Sequence, residues 1–159
     1  IMGPVFVTVI GRCMGAKDVE QAEFYFRKLS NITLILSITW NAIIFACVPF
    51  VMKYYPLSDE IIHMVVMLVL IHNIFSAFIF PYAGALPAGL RAAGDVRFTM
   101  YVSLFATVCV RLILSVVFGI WLNMGVFGIA FAMCADWGVR ALLCVNRWRI
   151  GKWKVFKLI

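Results

Sequence analysis

Hydrophobic residues form four long stretches along the chain, and short polar segments separate them. The stretches cover about residues 29–52, 61–86, 98–122 and 125–145, and residues 1–10 look like the end of a fifth. A helix needs roughly 20 mostly apolar residues to cross a bilayer, and each full stretch reaches that length. Because the hydrophobic runs are continuous instead of alternating, they indicate helices rather than barrel strands. The pattern predicts an all-α, polytopic transmembrane helix bundle.

The composition also indicates a membrane protein. Hydrophobic residues make up 65% of the chain, charged residues 13%, and the mean hydropathy is +1.03. These few polar residues cannot cover the surface of a soluble globule of this size. We therefore expect the lipid bilayer to surround most of the chain. The sequence begins at Ile1, inside apolar sequence, with no initiator methionine or cleavable signal pattern. We therefore interpret residues 1–159 as a single partial membrane domain, the C-terminal piece of a longer protein.

Lysine and arginine are distributed unequally between the two sides of these spans. We predict that residues 11–28 form a cytoplasmic loop, and the loop 87–97 and the basic tail 146–159 then lie on the cytoplasmic side too. Of the 14 basic residues, these three segments collect eleven, and the opposite side holds Lys53 alone. Cytoplasmic loops of membrane proteins carry such an excess. The distribution predicts a cytoplasmic C-terminus. We expect a multi-pass protein of the cell (plasma) membrane.

The tail alternates cations with tryptophan, in Arg147-Trp148-Arg149 and again in Lys152-Trp153-Lys154. This alternation is typical of an interfacial anchor on an anionic leaflet. The net charge of +7 could instead suggest nucleic acid. Because the basic residues are spread over three short segments beside spans, topology explains them better, and we expect no nucleic-acid partner.

The chain offers little for catalysis or metal binding. The 5 cysteines are scattered, and His63 and His72 have no thiol or carboxylate near them on the same face. No nucleophile and base share a helix face, and no glycine-rich phosphate loop follows a strand. We expect no metal, no cofactor and no enzymatic activity.

The last hydrophobic stretch carries an unusual charged residue, Asp136. Gly128, Ala132, Asp136 and Arg140 recur at every fourth position, so they share one helix face. An unpaired ionisable group at the centre of a membrane helix costs roughly 2.5–3.5 kcal/mol, so such charges normally pair or serve a function.

Two arginines are candidate partners for Asp136. Arg140 lies one turn away on the same face. At 1.5 Å per residue, Arg111 of the preceding stretch lies within about 6 Å of Asp136 in depth. Asp136, Arg140 and Arg111 therefore form the ion-pair or gating candidates. Two interpretations stay open: a permanent lock between helices, which we favour, and a pair that substrate or cation entry weakens.

A second group of polar residues lies in the first two stretches. Asn41 ends a stripe of Ser and Thr in the first, and His72, Asn73 and Ser76 interrupt the second, before Pro81 and Pro87. Proline should kink the second span near its cytoplasmic end. One interpretation is purely structural: these polar residues form hydrogen bonds and packing contacts between helices. The functional one is a coupling or substrate-cavity site, where nearby aromatic residues such as Phe75, Phe78, Phe80 and Tyr82 could contact a flat cation.

Three motifs, in their order and spacing, resemble the C-terminal lobe of multidrug and toxic compound extrusion (MATE) transporters. They are Gly11-Arg12-Cys13-Met14-Gly15-Ala16-Lys17-Asp18, then Leu90-Arg91-Ala92-Ala93-Gly94-Asp95-Val96-Arg97-Phe98, and Asp136-Trp137-Gly138-Val139-Arg140 with the basic tail. The resemblance covers nearly the whole chain. It makes Gly11, Gly15, Asp18, Arg91, Gly94 and Asp95 part of repeated cytoplasmic turns.

This resemblance implies a twelve-helix transporter of two lobes, with the N-terminal lobe as this segment's partner. It implies export of small cationic or amphipathic substrates, driven by entry of sodium or protons through alternating access. Family members that bind sodium in this lobe use acidic residues in helices 7 and 10. The stretch that matches helix 10, at 61–86, has no Asp or Glu. No site for the coupling ion is therefore identifiable in this chain, and His72 is the remaining candidate for coupling.

Two alternatives remain beside the exporter. A lipid-linked saccharide flippase of the same superfamily would share the helix bundle but should have more cationic residues in its cavity. In this chain only Arg111 and Arg140 qualify, and the negative charge of Asp136 offsets them. A truncated, non-transporting membrane subunit is the other alternative, because half of a two-lobed transporter cannot enclose a path between lobes.

Overall fold

The computed structural model describes residues 2–54, 56 and 58–155, without the side chain of Val155. Throughout these residues the chain is helical or in short turns, which confirms the predicted all-α class. Four helical stretches are long and apolar enough to cross a membrane: Val19–Met52, Asp59–Ala92, Val96–Trp121 and Val126–Ile150.

The helices are as follows. They are α1 (Gly3–Gly15), α2 (Val19–Met52), α3 (Asp59–Phe80), α4 (Leu86–Ala92), α5 (Val96–Phe105), α6 (Ile113–Val116) and α7 (Gly125–Ile150). Three π-helical segments, Pro81–Ala85, Ala106–Leu112 and Val117–Trp121, join α3 to α4, α5 to α6, and α6 to the turn before α7. A short 3-10 helix, Lys152–Val155, follows α7.

The long helices extend beyond the hydrophobic stretches. Most of segment 11–28, which we predicted as a loop, is helical, and α7 continues through the first residues of the predicted tail. The start of α2 is set by Asp18, whose Oδ1 accepts a hydrogen bond from the backbone N–H of Gln21 at 2.9 Å. Such a cap satisfies a free N–H at the helix start, so the helix begins in polar sequence before the apolar span. The last four residues of the predicted tail, 156–159, lie outside the described residues.

At the prolines of the second span, where we predicted a kink, the chain forms a π-helical turn. Pro81 has no N–H to donate, and the backbone N–H of Leu86 reaches the carbonyl of Pro81 five residues earlier. This wider turn lets the chain pass from α3 into α4 without a break. Pro87 then lies in the first turn of α4.

The buried core lies at one end of the bundle, which we call the basic end because Arg91, Arg147 and Lys152 are there. Its largest members are Phe6 and Ile10 of α1, Phe26 of α2, Leu90 of α4 and Trp153. Many large hydrophobic residues farther along α2, α3 and α5 are exposed. Surfaces of that kind suit contact with lipid or with further helices of a membrane protein.

Helix α7 is the most buried of the four membrane-length helices. Its small-residue face allows a close approach: a Cβ added at Gly128 would lie 2.6 Å from the carbonyl carbon of Phe118. Ala132, one turn later, is fully buried. The predicted small-residue stripe therefore faces the π-helical segment Val117–Trp121 directly.

We expect Gly128→Ala to destabilise the intact protein by about 1–3 kcal/mol, the usual cost of overpacking. The added methyl group would meet backbone atoms of Phe118 and Gly119, which cannot rotate away. Thermal unfolding in detergent measures the effect. Gly138→Ala is the matched control on the same helix, since a Cβ there meets nothing within 4 Å. Equal melting temperatures for the two variants would contradict the close approach.

Candidate functional site

A buried ion pair lies in the membrane-length part of α7. Asp136 is 1% exposed. An Nη2 hydrogen of Arg140 is donated to Asp136 Oδ1 at 3.1 Å, with Oδ2 at 3.3 Å. The two residues are one turn apart, as the sequence pattern predicted. Because Arg140 neutralises the carboxylate locally, the cost of placing a charge in this apolar helix is reduced.

Arg140 also connects α7 to the neighbouring span. Its Nη2 lies 3.1 Å from Thr107 Oγ1, in the π-helical segment Ala106–Leu112. Its Nε is buried and has no hydrogen-bond partner among the described atoms. One guanidinium thus joins a carboxylate on its own helix to a hydroxyl on another. This geometry holds the two spans in one register.

The structure does not bring Arg111 to Asp136. Within the described part of the chain, the hydrogen bonds of Asp136 come from Arg140 alone, and Thr107 is the partner from the neighbouring span. The depth estimate for Arg111 assumed a regular α-helix and gave no direction around its axis. Residues 106–112 are π-helical, and the wider turn changes the direction in which residue 111 projects.

The polar residues of the first two spans meet where α2 packs against α3. Asn41 Nδ2 donates to the backbone carbonyl of Ser37 at 2.8 Å, and Ser37 Oγ donates to the carbonyl of Ser76 at 3.3 Å. Asn73 is buried, and its Nδ2 finds no partner among the described atoms. Three of the four cavity candidates, Asn41, Asn73 and Ser76, therefore belong to this helix contact or lie beside it.

His72 stands apart from that contact and faces α7. Its ring is exposed and meets the ring of Trp137 edge-on, with 5.0 Å between centroids. Trp137 also contacts Phe80, at 5.5 Å. Sequence reasoning had not selected Trp137, although it directly follows Asp136 and is one of only 5 tryptophans.

Near these aromatic residues, an apolar cavity of about 440 Å³ opens between α3 and α7. It is lined by Phe75, Phe118, Met124, Phe131, Cys134 and Ala135. Of the aromatic residues suggested as substrate contacts, Phe75 lines this cavity and Phe80 packs on Trp137. Its walls could accept an apolar group but offer almost nothing to a charge.

At the basic end, Gly94 and Asp18 lie at turns as predicted, whereas Gly11 lies inside helix α1 and Gly15 is its last residue, so the prediction of a turn at Gly11 was wrong. Gly94 adopts a left-handed φ of 98° between α4 and α5, where glycine fits without strain. Asp18 caps α2, Arg91 lies exposed in the last turn of α4, and Gly11 and Gly15 lie in α1 with open space beside them.

Asp95 is the exception among these turn residues, because it pairs with a distant arginine. It is 2% exposed and stands at the start of α5 without capping it. Arg147 Nε instead donates to Asp95 Oδ2 at 2.7 Å, and Arg147 Nη2 to Oδ1 at 3.3 Å. The same guanidinium lies 4.6 Å from the centre of the Phe98 ring. Sequence spacing could not show this pair, because 52 residues separate its members.

Trp153 differs from the interfacial anchor that we predicted. It is 0% exposed, and its Nε1–H donates to the carbonyl of Trp148 at 3.1 Å. Its ring lies 5.2 Å from that of Phe26 in α2. The core at the basic end takes in this tryptophan, which therefore does not face lipid headgroups. Arg149 and Lys152 beside it are exposed, as an anchor would require.

No group of three or more His, Cys, Asp or Glu side chains lies close enough to hold a metal within residues 2–54, 56 and 58–155. The ionisable chemistry described above consists of ion pairs and hydrogen bonds between helices.

Comparisons with known proteins identify a family and a matching fold. Residues 6–117 match the family model described as MatE. A stretch of 64 residues is 41% identical to the "Uncharacterized transporter YisQ" of Bacillus subtilis (strain 168), covering 40% of this chain and 14% of that protein. The backbone resembles the crystal structure of the eukaryotic MATE transporter AtDTX14, with a TM-score of 0.81 and 22% identity over 96% of this chain. This chain spans only 34% of that structure.

Proposed function

Because the chain belongs to the MatE family, which residues 6–117 match, we propose that the protein containing it is a secondary active transporter. It exports small cationic or amphipathic compounds in exchange for sodium or protons, by alternating access. The chain is a multi-pass membrane segment, and its fold matches part of a solved MATE transporter. Transport by the intact protein also requires the other lobe, since one lobe cannot enclose a path.

The observation that best supports this proposal is the Asp136–Arg140 pair with Thr107. Placing a charge pair inside a membrane-length helix costs free energy. The charged residues found there therefore usually have a functional role. Here it lies on the most buried helix and reaches the neighbouring span. We propose that it acts as a lock that positions α7 against residues 106–112, so that its loss affects gating or assembly before ion binding.

The apolar cavity between α3 and α7 supports an amphipathic rather than a strongly anionic substrate. Its walls are aromatic and aliphatic, and the carboxylate of Asp136 offsets the charge of Arg140. A flippase for a pyrophosphate-linked sugar needs a cationic cavity, so these side chains favour the exporter. Membership of a transporter family also fits a protein that moves its substrate chemically unchanged.

The full-length protein in proteoliposomes tests the proposal directly. A sodium gradient is imposed at fixed pH, or a proton gradient at fixed sodium concentration, and export of a lipophilic fluorescent cation is measured. We expect export with one of these gradients and no export when both gradients are absent. The gradient that supports export identifies the coupling ion. Empty liposomes and liposomes with dissipated gradients are the controls. Export that neither gradient stimulates would contradict cation antiport.

A further inference from the structure

The chain folds back on itself immediately after α7. Gly151 has a φ of 75°, a left-handed conformation that reverses the direction of the backbone. The N–H of Gly151 donates to the carbonyl of Trp148 at 3.1 Å, and the N–H of Lys154 donates to the carbonyl of Gly151 at 3.0 Å. We call residues 151–154 the clasp.

The clasp is attached by one buried side chain. Trp153 packs against Phe26, near the start of α2, and its indole N–H is satisfied by Trp148. Phe26 in turn packs edge-on against Phe6 of α1, with 6.0 Å between ring centres. The clasp therefore contributes its tryptophan to the same core as α1 and α2, although these helices lie at the opposite end of the sequence.

An ion pair holds the other side of the clasp. Lys154 Nζ pairs with Glu23, whose carboxylate also receives a hydrogen bond from Arg27 at 3.0 Å. Both side chains of the Lys154–Glu23 pair are partly exposed, at 41% and 31%. Water competes for such pairs, so they break at little cost.

The two links at the basic end differ in how easily they can open. The Asp95–Arg147 pair is deeply buried, at 3% and 20% side-chain exposure, so separating it leaves charges without partners. Release of the clasp at Gly151 would expose one buried tryptophan and separate one ion pair that already meets water. Cys144 of α7 is buried in the same hydrophobic cluster as Trp153.

We propose that the clasp is a releasable strap. It holds the start of α2 against the end of α7, and it must detach when the basic end opens during transport. This inference rests on the proposed transport function. It assigns Trp153 and the Lys154–Glu23 pair to a conformational step instead of to membrane anchoring.

Cross-linking the strap tests the proposal in the full-length protein. In a background without other cysteines, Glu23→Cys and Lys154→Cys are joined by a reducible bifunctional maleimide, and export is measured in proteoliposomes. We expect at least a tenfold loss of export on cross-linking and recovery when the linker is reduced. Each single-cysteine variant, treated with the same reagent, is the matched control. Export at the control rate by the cross-linked protein overturns the proposal.

A second measurement does not depend on transport. With Cys144 as the sole cysteine, Trp153→Ala should raise its labelling by a membrane-impermeant maleimide, added at the basic end, about tenfold. Trp153→Phe should largely preserve protection, and Lys152→Ala, an exposed change in the same segment, should preserve it fully. Unchanged labelling in Trp153→Ala overturns the strap. Absence of export by the unmodified parent protein would instead count against the proposed function, and the labelling result would still stand.

Discussion

Replacing Asp136 with asparagine in the intact protein is expected to lower its stability by about 3–5 kcal/mol, the usual cost of removing one partner from a buried ion pair. The reason is that Arg140 would keep its positive charge beside Thr107, with an uncharged amide in place of the carboxylate. Thermal unfolding in detergent measures the loss. Export per folded molecule should also fall, because α7 would no longer be held in register with residues 106–112.

Two further variants separate pairing from other effects of this change. The double variant Asp136→Asn with Arg140→Gln should lose less stability than the sum of the losses in the two single variants. Each single variant leaves one buried charge without its partner, whereas the double variant removes both charges. Arg111→Gln should cost less than Asp136→Asn, since the described contacts of Asp136 do not include Arg111. Additive losses in the double variant would argue against an ion pair. Normal export by a destabilised Asp136→Asn protein would restrict the pair to a purely structural lock.

Asp95→Asn is expected to have the second largest effect, a loss of about 3 kcal/mol, at the lower end for a buried pair. Asp95 is nearly inaccessible, and both of its carboxylate oxygens bind Arg147. The loss should be smaller than at Asp136, because Arg147 keeps its contact with the Phe98 ring and is partly exposed to water. The melting temperature of the full-length protein in detergent reports the change.

Arg97→Gln provides the control for Asp95. It removes an exposed charge close to the same turn, and such surface changes usually stay within about 0.5 kcal/mol. High salt should weaken the effect of Asp95→Asn little, because buried pairs are poorly screened. If Asp95→Asn melts at the same temperature as Arg97→Gln, the pair does not hold α5 to α7.

Several local features were predictable because they depend on neighbours in sequence. The Asp18 cap involves a residue three positions away, and the Asp136–Arg140 pair spans one helical turn. The membrane-length helices follow from continuous apolar runs, which need no knowledge of packing. The small-residue face at Gly128 and Ala132 also follows from helical period alone.

Features that depend on distant partners were not predictable in this way. Asp95 looked like a turn residue, and its pairing with Arg147 exists only because α5 and α7 meet at the basic end. Arg111 has a suitable depth for Asp136, but depth does not fix the direction around a helix axis. In the structure, Thr107 of the π-helical segment 106–112 lies against Arg140 instead.

Trp153 shows most clearly where the sequence stops being sufficient. Alternating tryptophan and basic residues determine that this segment is amphipathic and prefers a boundary between apolar and polar surroundings. They do not determine which apolar surface is nearest. The sequence by itself determined the helical class and the spans, and it placed Asp18 and Arg140 at short spacings that suit a helix cap and an ion pair, because those features depend on composition and on neighbouring residues. Only the tertiary structure decided that Trp153 enters the core against Phe26 and that Arg147 reaches Asp95, because packing brings together residues that the chain keeps far apart.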